Sequence, residues 1–113
     1  MGVVNHPRMD EVWLTSLDPT EGSEIQKTRP CLVISPNEMN QHLRTVIVAP
    51  MTSSLRSYAT RVTVKFQSKQ GQVALDQIRA VDQQRLVRKL GSVSPKPAHA
   101  VGAVLVEMFT RQG

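Results

Sequence analysis

Two short, continuous apolar runs constrain the fold of this chain more than any other feature. The first covers residues 30–35 and the second covers residues 45–49. Short runs of this kind, rich in valine and isoleucine and ended by proline, are typical of β-strands that are buried on both faces. Pro36 and Pro50 stand at the ends of the two runs. The pattern therefore predicts two central strands and a mainly β chain.

Three other segments also have strand patterns. They are residues 11–17, residues 61–66, where apolar and polar side chains alternate, and residues 72–75, which can continue to Val81. Gly71 is interpreted as the turn before the last of these strands. The polar residues 19–28 follow the turn signal Asp18-Pro19 and are predicted to form a loop. A loop of this length in a small domain is often functional.

The hydrophobic period changes near the C-terminus. Ser94 is a plausible N-cap, and Pro95 suits the first helical position. An apolar stripe with helical spacing follows, made of Val101, Val104, Leu105, Met108 and Phe109. We therefore expect a small, strongly bent β-barrel closed by one C-terminal helix. A single domain is expected over residues 1–113, with residues 1–9 as a flexible tail.

Length and composition exclude several classes. A chain of 113 residues with 40% hydrophobic residues is long enough for one globular core. No apolar run approaches the roughly 18 residues that span a bilayer, and no secretory signal is visible, so we expect a cytoplasmic protein without a membrane partner. Cys31 is the single cysteine, which excludes an internal disulfide framework or a cysteine-based zinc site. We expect it to be a buried thiol.

Charge is distributed unevenly along the sequence. Residues 1–38 contain three basic and six acidic residues, a balance of −3, and residues 39–113 contain eleven and three, a balance of +8. Such asymmetry favours a polyanionic partner, either a nucleic acid or an acidic protein segment. A solvated basic surface is the other interpretation. The basic residues that could contact phosphates are Arg56, Arg61, Lys65, Lys69, Arg79, Arg85, Arg88 and Lys89.

Antiparallel pairing of the two apolar runs would bring two polar side chains together. Arg29 precedes the first run and Thr52 follows the second, so both would lie at one sheet edge beside the loop 19–28. A surface salt bridge to Glu24 is the ordinary alternative for Arg29. For Thr52 the alternative is a hydroxyl that bonds to loop backbone.

Histidines and carboxylates suggest no second kind of site. His6, His42 and His99 are assigned to the tail, a loop and the helix, so they do not form a recognisable acid–base pair. Asp76 and Asp82 have no third carboxylate close in sequence, and we expect both to be structural. No metal or other cofactor is predicted.

Several segments together resemble the MazF/PemK toxin endoribonucleases of bacterial toxin–antitoxin pairs. They extend over nearly the whole chain, in order: Glu11-Val-Trp-Leu14, Leu17-Asp-Pro-Thr-Glu-Gly-Ser-Glu24, Thr28-Arg-Pro-Cys-Leu-Val-Ile-Ser-Pro36, Val48-Ala-Pro-Met-Thr52 and Leu75-Asp-Gln-Ile-Arg-Ala-Val-Asp82. The resemblance implies an SH3-like barrel that works as a homodimer. It also implies metal-independent, sequence-selective cleavage of single-stranded RNA, leaving 2′,3′-cyclic phosphate and 5′-hydroxyl ends.

The resemblance also assigns the site. Arg29 and Thr52 match the catalytic pair of the family. Glu24 is placed near substrate and Gln77 is expected to contact RNA. We further predict that Lys27, Ser53 and Arg79 bind substrate.

Departures from the family pattern decide the branch. Lys27 replaces a common glycine and adds a charge beside the site. Ser23 and Ala74 stand where the PemK branch uses a histidine and an arginine, so the chain is similar to the MazF type. For the chemistry, a guanidinium matches the charge that develops on a phosphate, whereas its high pKa makes it a poor base. Glu24 is considered either as the base or as the partner that orients Arg29.

The resemblance also implies partners and leaves alternatives. A cognate acidic antitoxin would cover the RNA groove, and operator DNA would be bound only through the antitoxin complex. A gyrase poison like CcdB would need a Trp-Gly-Ile C-terminus, but this chain ends Arg111-Gln112-Gly113. A barrel that only binds protein or nucleic acid is the other alternative.

Overall fold

A curled antiparallel sheet with a C-terminal helix packed against it forms the molecule, as the computed structural model of residues 6–112 shows. The strands are β1 (Glu11–Ser16), β2 (Thr28–Val33), β3 (Thr45–Thr52), β4 (Arg61–Phe66), β5 (Lys69–Ala74), β6 (Arg79–Asp82) and β7 (Leu86–Ser92). The helices are α1 (Asn37–His42) and α2 (Pro95–Phe109), with 3₁₀ turns at Leu75–Gln77 and Gln83–Arg85. The predicted mainly β fold with a C-terminal helix is confirmed.

Strand β3 organises the sheet because it pairs with three other strands. The strand order is β4-β5-β3-β2-β1-β7, and β6 also pairs with β3. Residues 45–48 of β3 pair with β6, whereas Met51 and Thr52 pair with β5. The 3₁₀ turn Leu75–Gln77 lies between β5 and β6 in the chain. Strand β3 therefore pairs with β6 along its first half and with β5 at its C-terminal end.

The two predicted central strands are buried on both faces of the sheet. Leu32 and Ala49 belong to the core cluster that packs against α2. Their neighbours Cys31, Val33 and Val48 belong to a second cluster on the other side, with Trp13, Ile25 and Leu86 packed against it. Because successive strand residues point to opposite faces, a continuous apolar run supplies both clusters.

Several strand boundaries differ from the prediction. Strand β2 covers Thr28–Val33 instead of residues 30–35, and β5 begins at Lys69 instead of residue 72. Strand β3 does not end at Pro50 but continues to Thr52, and Pro50 lies opposite Cys31. The segment that begins at residue 72 does not continue as one strand to Val81, because the 3₁₀ turn Leu75–Gln77 interrupts it.

The predicted turn at Gly71 is wrong. Gly71 lies inside β5 opposite Val64, and the chain reverses at Gln67 and Ser68, with φ angles of 51° and 65°. A two-residue hairpin turn of this kind needs positive φ at both positions, which usually selects asparagine and glycine. Glutamine and serine gave no such signal.

Elements near the C-terminus agree with the prediction only in part. Helix α2 begins at Pro95 after Ser94, although the Ser94 side chain makes no capping hydrogen bond. Val101 is buried, and Val104, Leu105 and Met108 pack against the core. Phe109, the last residue of the predicted stripe, is 69% exposed. Strand β7 and helix α1 were not predicted.

The expected N-terminal tail lies partly outside the described residues, which begin at His6. Within the described part, Pro7 is buried. The Met9 backbone N–H donates to the Asn37 side chain at 2.8 Å. The segment next to β1 is thus attached to the start of α1.

A candidate active site at the end of strand β3

Pairing of β2 with β3 brings Arg29 and Thr52 to the same cleft. Cys31 lies opposite Pro50 in the antiparallel register, so Arg29 and Thr52 lie together two residues further toward the same edge. Both side chains line a cleft of about 300 Å³, which we call the Arg29 cleft. Its other lining residues are Pro30, Met51, Ser53, Val64, Phe66, Gln67, Lys69, Gln70, Gly71 and Leu90. The predicted meeting of Arg29 and Thr52 is confirmed, while their catalytic roles stay predictions.

The Arg29 side chain is anchored at one nitrogen only. Its Nε donates to the Gln26 carbonyl at 3.2 Å. Within residues 6–112 its terminal nitrogens form no hydrogen bond or ion pair. The salt bridge to Glu24 considered above is absent there, and the Glu24 carboxylate instead accepts the Glu21 N–H at 2.6 Å. Both terminal nitrogens of this guanidinium, with four N–H groups, are therefore available to an anion such as a phosphate.

The Thr52 hydroxyl is held at the start of the β3–β4 loop. Its Oγ1 accepts the Ser54 backbone N–H at 3.1 Å, which matches the backbone-bonding alternative for this residue. Because a hydroxyl also has a proton to donate, this bond leaves Thr52 able to donate to a phosphate oxygen.

Gly71 lets the backbone of β3 come close to β5 at Thr52. A Cβ atom at position 71 would lie 2.9 Å from the Thr52 carbonyl oxygen. Thr52 pairs with the neighbouring Gln72. Glycine therefore contributes to the position of Thr52, a role that sequence reasoning missed because it assigned Gly71 to a turn.

Three other predicted substrate residues line a second cleft. Glu24, Gln77 and Arg79 surround a space of about 390 Å³, which we call the Gln77 cleft. Ser23, Ile25, Pro50, Asp76 and Ile78 complete its lining. Pro50 adjoins Met51, which lines the Arg29 cleft, so the two clefts lie on consecutive residues of β3. Glu24 is not among the residues that line the Arg29 cleft.

Side chains that line the Gln77 cleft also hold the β1–β2 loop in place. The Gln77 side-chain oxygen accepts the Ile25 N–H at 2.8 Å, and Arg79 donates to the Leu17 carbonyl at 3.1 Å. Arg85 donates to the carbonyls of Ser16 and Asp18. These contacts give Gln77 and Arg79 a structural function in shaping the cleft, in addition to the predicted RNA contact.

Lys27 lines neither cleft, but its backbone has an unusual conformation. Its φ angle is 70°, in the left-handed region. Its N–H donates to the Asp18 carboxylate at 3.0 Å, and its carbonyl accepts the Leu17 N–H at 3.0 Å. The loop therefore needs this conformation, which explains why a glycine is common at this position in the resembling family.

Asp76 and Asp82 both have structural partners, as expected. Asp76 accepts from Arg61 at 2.7 and 3.1 Å and from the Thr60 hydroxyl at 3.1 Å. The Arg61 hydrogen bond is the main cause that holds the pKa of Asp76 below its usual value, against the opposing effect of burial. Asp82 accepts the Gln84 N–H at 2.8 Å.

Cys31 is the buried thiol that the sequence predicted. It is fully buried, and its Sγ donates to the Arg29 carbonyl at 3.6 Å. Burial raises the pKa of the thiol to about 11, although a hydrogen bond with Thr15 and the charge of Arg79 act in the other direction. At neutral pH the group is a protonated core residue and a poor nucleophile.

Several of the predicted phosphate-contacting residues already have protein partners. Lys89 pairs with the buried Glu11 at 2.9 Å, and Arg61 pairs with Asp76. Arg79 and Arg85 donate to loop carbonyls. Those without an ion pair in the described part of the chain are Arg56, Lys65, Lys69, Arg79, Arg85 and Arg88.

No described histidine lines the Arg29 cleft or the Gln77 cleft. His42 lies at the end of α1 and not in the predicted loop, and His99 is on α2 as predicted. Residues 6–112 contain no group of three or more His, Cys, Asp or Glu side chains that could hold a metal ion. Neither helix among these residues has the length and hydropathy to cross a bilayer.

Sequence reasoning missed two polar residues that fix the β3–β4 loop, residues 53–60. Buried Gln72 accepts the Arg56 N–H at 2.9 Å and donates to the Arg56 carbonyl at 3.0 Å. Arg61 was assigned to phosphate contacts, but its side chain is 7% exposed and is bound to Asp76. The available signal was a glutamine among the apolar residues of a predicted strand.

Comparison with known proteins identifies the family. A family model described as PemK-like, MazF-like toxin of type II toxin-antitoxin system matches residues 8–109. Endoribonuclease MazF of Staphylococcus saprophyticus is 33% identical over 95 residues, which cover 79% of each protein. The MazF structure of Deinococcus radiodurans has a TM-score of 0.84 at 24% identity, covering 96% of this chain and 100% of that one.

A second solved structure shows a relative with a partner. It is a MazE–MazF complex of Deinococcus radiodurans, in which the matched chain has a TM-score of 0.77 at 21% identity. The match covers 96% of this chain and 100% of that one. Since the family model spans most of the sequence and the fold and Arg29–Thr52 arrangement agree with the resemblance, the chain belongs to the PemK-like, MazF-like toxin family of type II toxin–antitoxin systems.

Proposed function

We propose that this chain is the toxin of a toxin–antitoxin pair and that it cleaves single-stranded RNA at specific sequences. The observation that carries the proposal is the common location of Arg29 and Thr52 in one cleft at the end of β3. Its similarity to endoribonuclease MazF over most of both proteins supports the same activity. The proposed reaction needs no metal.

The reaction is a transesterification within the RNA. The ribose 2′-oxygen attacks the adjacent phosphorus, so that the O2′–P bond forms and the P–O5′ bond breaks. The 2′-hydroxyl loses its proton, and the departing 5′-oxygen gains one. The products are a 2′,3′-cyclic phosphate and a 5′-hydroxyl.

Arg29 and Thr52 stabilise the charge that builds on the non-bridging phosphate oxygens. The two free terminal nitrogens of Arg29 supply charged donors, and the Thr52 hydroxyl supplies a neutral donor in the same cleft. Lys69 lines the same cleft and Ser53 follows Thr52, so both contact the sugar–phosphate backbone in this proposal. Glu24, Gln77 and Arg79 contact a neighbouring nucleotide in the Gln77 cleft, and Lys27 adds charge beside it.

The partners follow from the same surface. An acidic antitoxin segment competes with RNA for the clefts, in line with the MazE–MazF complex of the Deinococcus relative. The toxin acts as a homodimer and reaches operator DNA only through the antitoxin complex. Its place of action is the cytoplasm, where the RNA substrate is translated. The relatives are named endoribonucleases, which favours this function over a gyrase poison or a barrel that only binds.

A cleavage assay in EDTA tests the proposal. The purified protein is incubated with a long, weakly structured RNA, and the cut sites and end groups are mapped. We expect discrete cuts with cyclic-phosphate ends from the wild type and a rate roughly 10²–10³-fold lower from Arg29→Ala, because one charged donor is lost. Arg44→Ala, an exposed arginine between α1 and β3, is the matched control and keeps the full rate. Full activity of Arg29→Ala would refute the mechanism.

A further inference from the structure

Tyr58 is an exposed aromatic residue that the site described above does not use. It lies in the β3–β4 loop and is 54% exposed. Two of the other aromatic residues, Trp13 and Phe66, pack against the core clusters. Phe109 is exposed on α2 and lines neither the Arg29 cleft nor the Gln77 cleft. Tyr58 thus stands alone as an aromatic ring on the loop that begins beside Thr52.

The inner face of the Tyr58 ring is occupied by a fixed cation. The guanidinium carbon of Arg61 lies 5.1 Å from the ring centroid. The Arg61 side chain is 7% exposed and binds Asp76 through two nitrogens, at 2.7 and 3.1 Å. A guanidinium held in this way cannot move aside, so the ring rests on a rigid support.

The loop that bears Tyr58 is anchored on both sides of the ring. Buried Gln72 binds the N–H and the carbonyl of Arg56, and the Arg61 N–H donates to the Tyr58 carbonyl at 3.1 Å. An exposed ring on a fixed backbone loses little conformational entropy when a ligand covers it. Such a ring is suited to binding.

Asp76 connects this ring to the Gln77 cleft. The carboxylate that clamps Arg61 also lines that cleft, together with Gln77 and Arg79. Arg56, which is exposed two residues before Tyr58, adds a positive charge to the same loop. A flat apolar face, a nearby cation and an adjoining polar cleft match a nucleobase with its phosphate.

We propose that Tyr58 is a stacking platform for one base of the bound RNA, next to the nucleotide in the Gln77 cleft. This inference rests on the proposed function, because it assumes that the ligand is single-stranded RNA. The ring binds by stacking its π-face on the base, and the phenolic hydroxyl is not required. The Arg61–Asp76 pair acts as its support and does not contact the base.

The first test measures binding without cleavage. The probe is a fluorescently labelled, mixed-sequence 2′-O-methyl oligoribonucleotide, which lacks the attacking 2′-hydroxyl. By anisotropy, we expect Tyr58→Ala to raise the Kd roughly 5- to 150-fold, the usual range for loss of one stacked base. Tyr58→Phe should bind like the wild type, and Tyr58→Leu should bind like the alanine variant. Leu43→Ala, at a similarly exposed apolar residue that directly follows α1, is the control for lost surface area.

The second test locates the stacked base. In oligoribonucleotides that contain a mapped cleavage site, each nucleotide in turn is replaced by an abasic one. One abasic position should raise the KM of the wild type and leave the KM of Tyr58→Ala unchanged, with kcat nearly constant. Equal binding by the wild type and Tyr58→Ala, or equal sensitivity of both to every abasic position, would overturn the inference. Failure of the proposed function has a different signature, since unmodified RNA would stay intact while the binding comparison could still be made.

Discussion

Lys27 has a backbone conformation that L-amino acids adopt at a cost of roughly 1–2 kcal/mol. Its φ of 70° is fixed by backbone hydrogen bonds that do not involve its own side chain. Lys27→Gly should therefore keep these bonds and raise the free energy of unfolding by about 0.5–1 kcal/mol, after the entropy cost of glycine is included. Urea denaturation measures the change.

The control for Lys27 is the same substitution at a lysine in a strand. Lys65 lies in β4 with an exposed side chain, so Lys65→Gly should lower the free energy of unfolding by about 0.5–1 kcal/mol. If both variants lose stability equally, the left-handed conformation at position 27 is not the source of strain.

At the residue scale, the sequence predicted the location of the site more accurately than the contacts that hold it. The two apolar runs and their antiparallel pairing were enough to bring Arg29 and Thr52 together. Gly71 could not be recognised, because its role depends on which strand lies beside β5. That contact joins residues far apart in sequence, and no local pattern reports it.

At the element scale, the close approach of β5 to β3 at Gly71 is open to a direct test. Gly71→Ala places a Cβ atom 2.9 Å from the Thr52 carbonyl oxygen, so the backbone has to move. We expect a loss of about 1–3 kcal/mol in the free energy of unfolding, as for other overpacked sites. Cleavage should also slow, because Thr52 shifts relative to Arg29.

Gly102→Ala provides the comparison for this change. Gly102 lies in α2, where an added Cβ meets nothing within 4 Å. This substitution should increase stability by roughly 0.5–1 kcal/mol, since alanine favours a helix, and should leave cleavage unchanged. A Gly71→Ala protein with wild-type stability and activity would show that β5 adjusts without moving Thr52.

The ion pair between Arg61 in β4 and Asp76 in the 3₁₀ turn Leu75–Gln77 should make the free energy of unfolding depend on pH. Because Arg61 lowers the pKa of Asp76 in the folded protein, this bond stabilises fully above the unfolded pKa of Asp. The contribution is lost as the pH falls through the folded pKa. Because Asp76 is exposed and water screens the pair, Asp76→Asn should cost about 0.5–1 kcal/mol at pH 7, and the difference from the wild type should shrink below about pH 4.

Urea denaturation of both proteins between neutral and acidic pH measures this difference. Glu107→Gln, on the exposed part of α2 and with no ion pair within residues 6–112, controls for the loss of one carboxylate. A difference between Asp76→Asn and the wild type that stays constant down to low pH would argue against a charged Asp76–Arg61 pair.

At the element scale, the sequence predicted the strands that have continuous or alternating apolar residues. Burial on both faces of the sheet produces the continuous pattern, and burial on one face produces the alternating pattern. They did not predict β7, whose exposed Arg88 and Lys89 lie on an edge strand with one neighbour. Pro50 misled the prediction for β3, since proline usually ends a strand. In the fold it pairs with Cys31 and the strand continues to Thr52, the residue on which the site depends.

At the scale of the whole molecule, the charge of +5 acts through a subset of the basic residues. Ion pairs engage Lys89 and Arg61, so these two add little attraction for RNA. Lys69 is different, because it lines the Arg29 cleft and has no ion pair in the described part of the chain. Net charge alone therefore overstates the number of phosphate contacts.

Salt dependence of RNA binding counts these contacts. For single-stranded RNA, log K falls with log salt concentration with a slope near −0.7 for each phosphate contact. Lys69→Gln should reduce the slope by about 0.7, because one contact in the Arg29 cleft is lost.

Lys96→Gln removes an exposed charge from the first turn of α2 and should leave the slope unchanged. The non-cleavable 2′-O-methyl probe is suitable, since the protein cannot cleave it during the titration. Equal slopes for the wild type and Lys69→Gln would mean that RNA does not follow the Arg29 cleft, and equal reductions in both variants would mean that only the total charge matters.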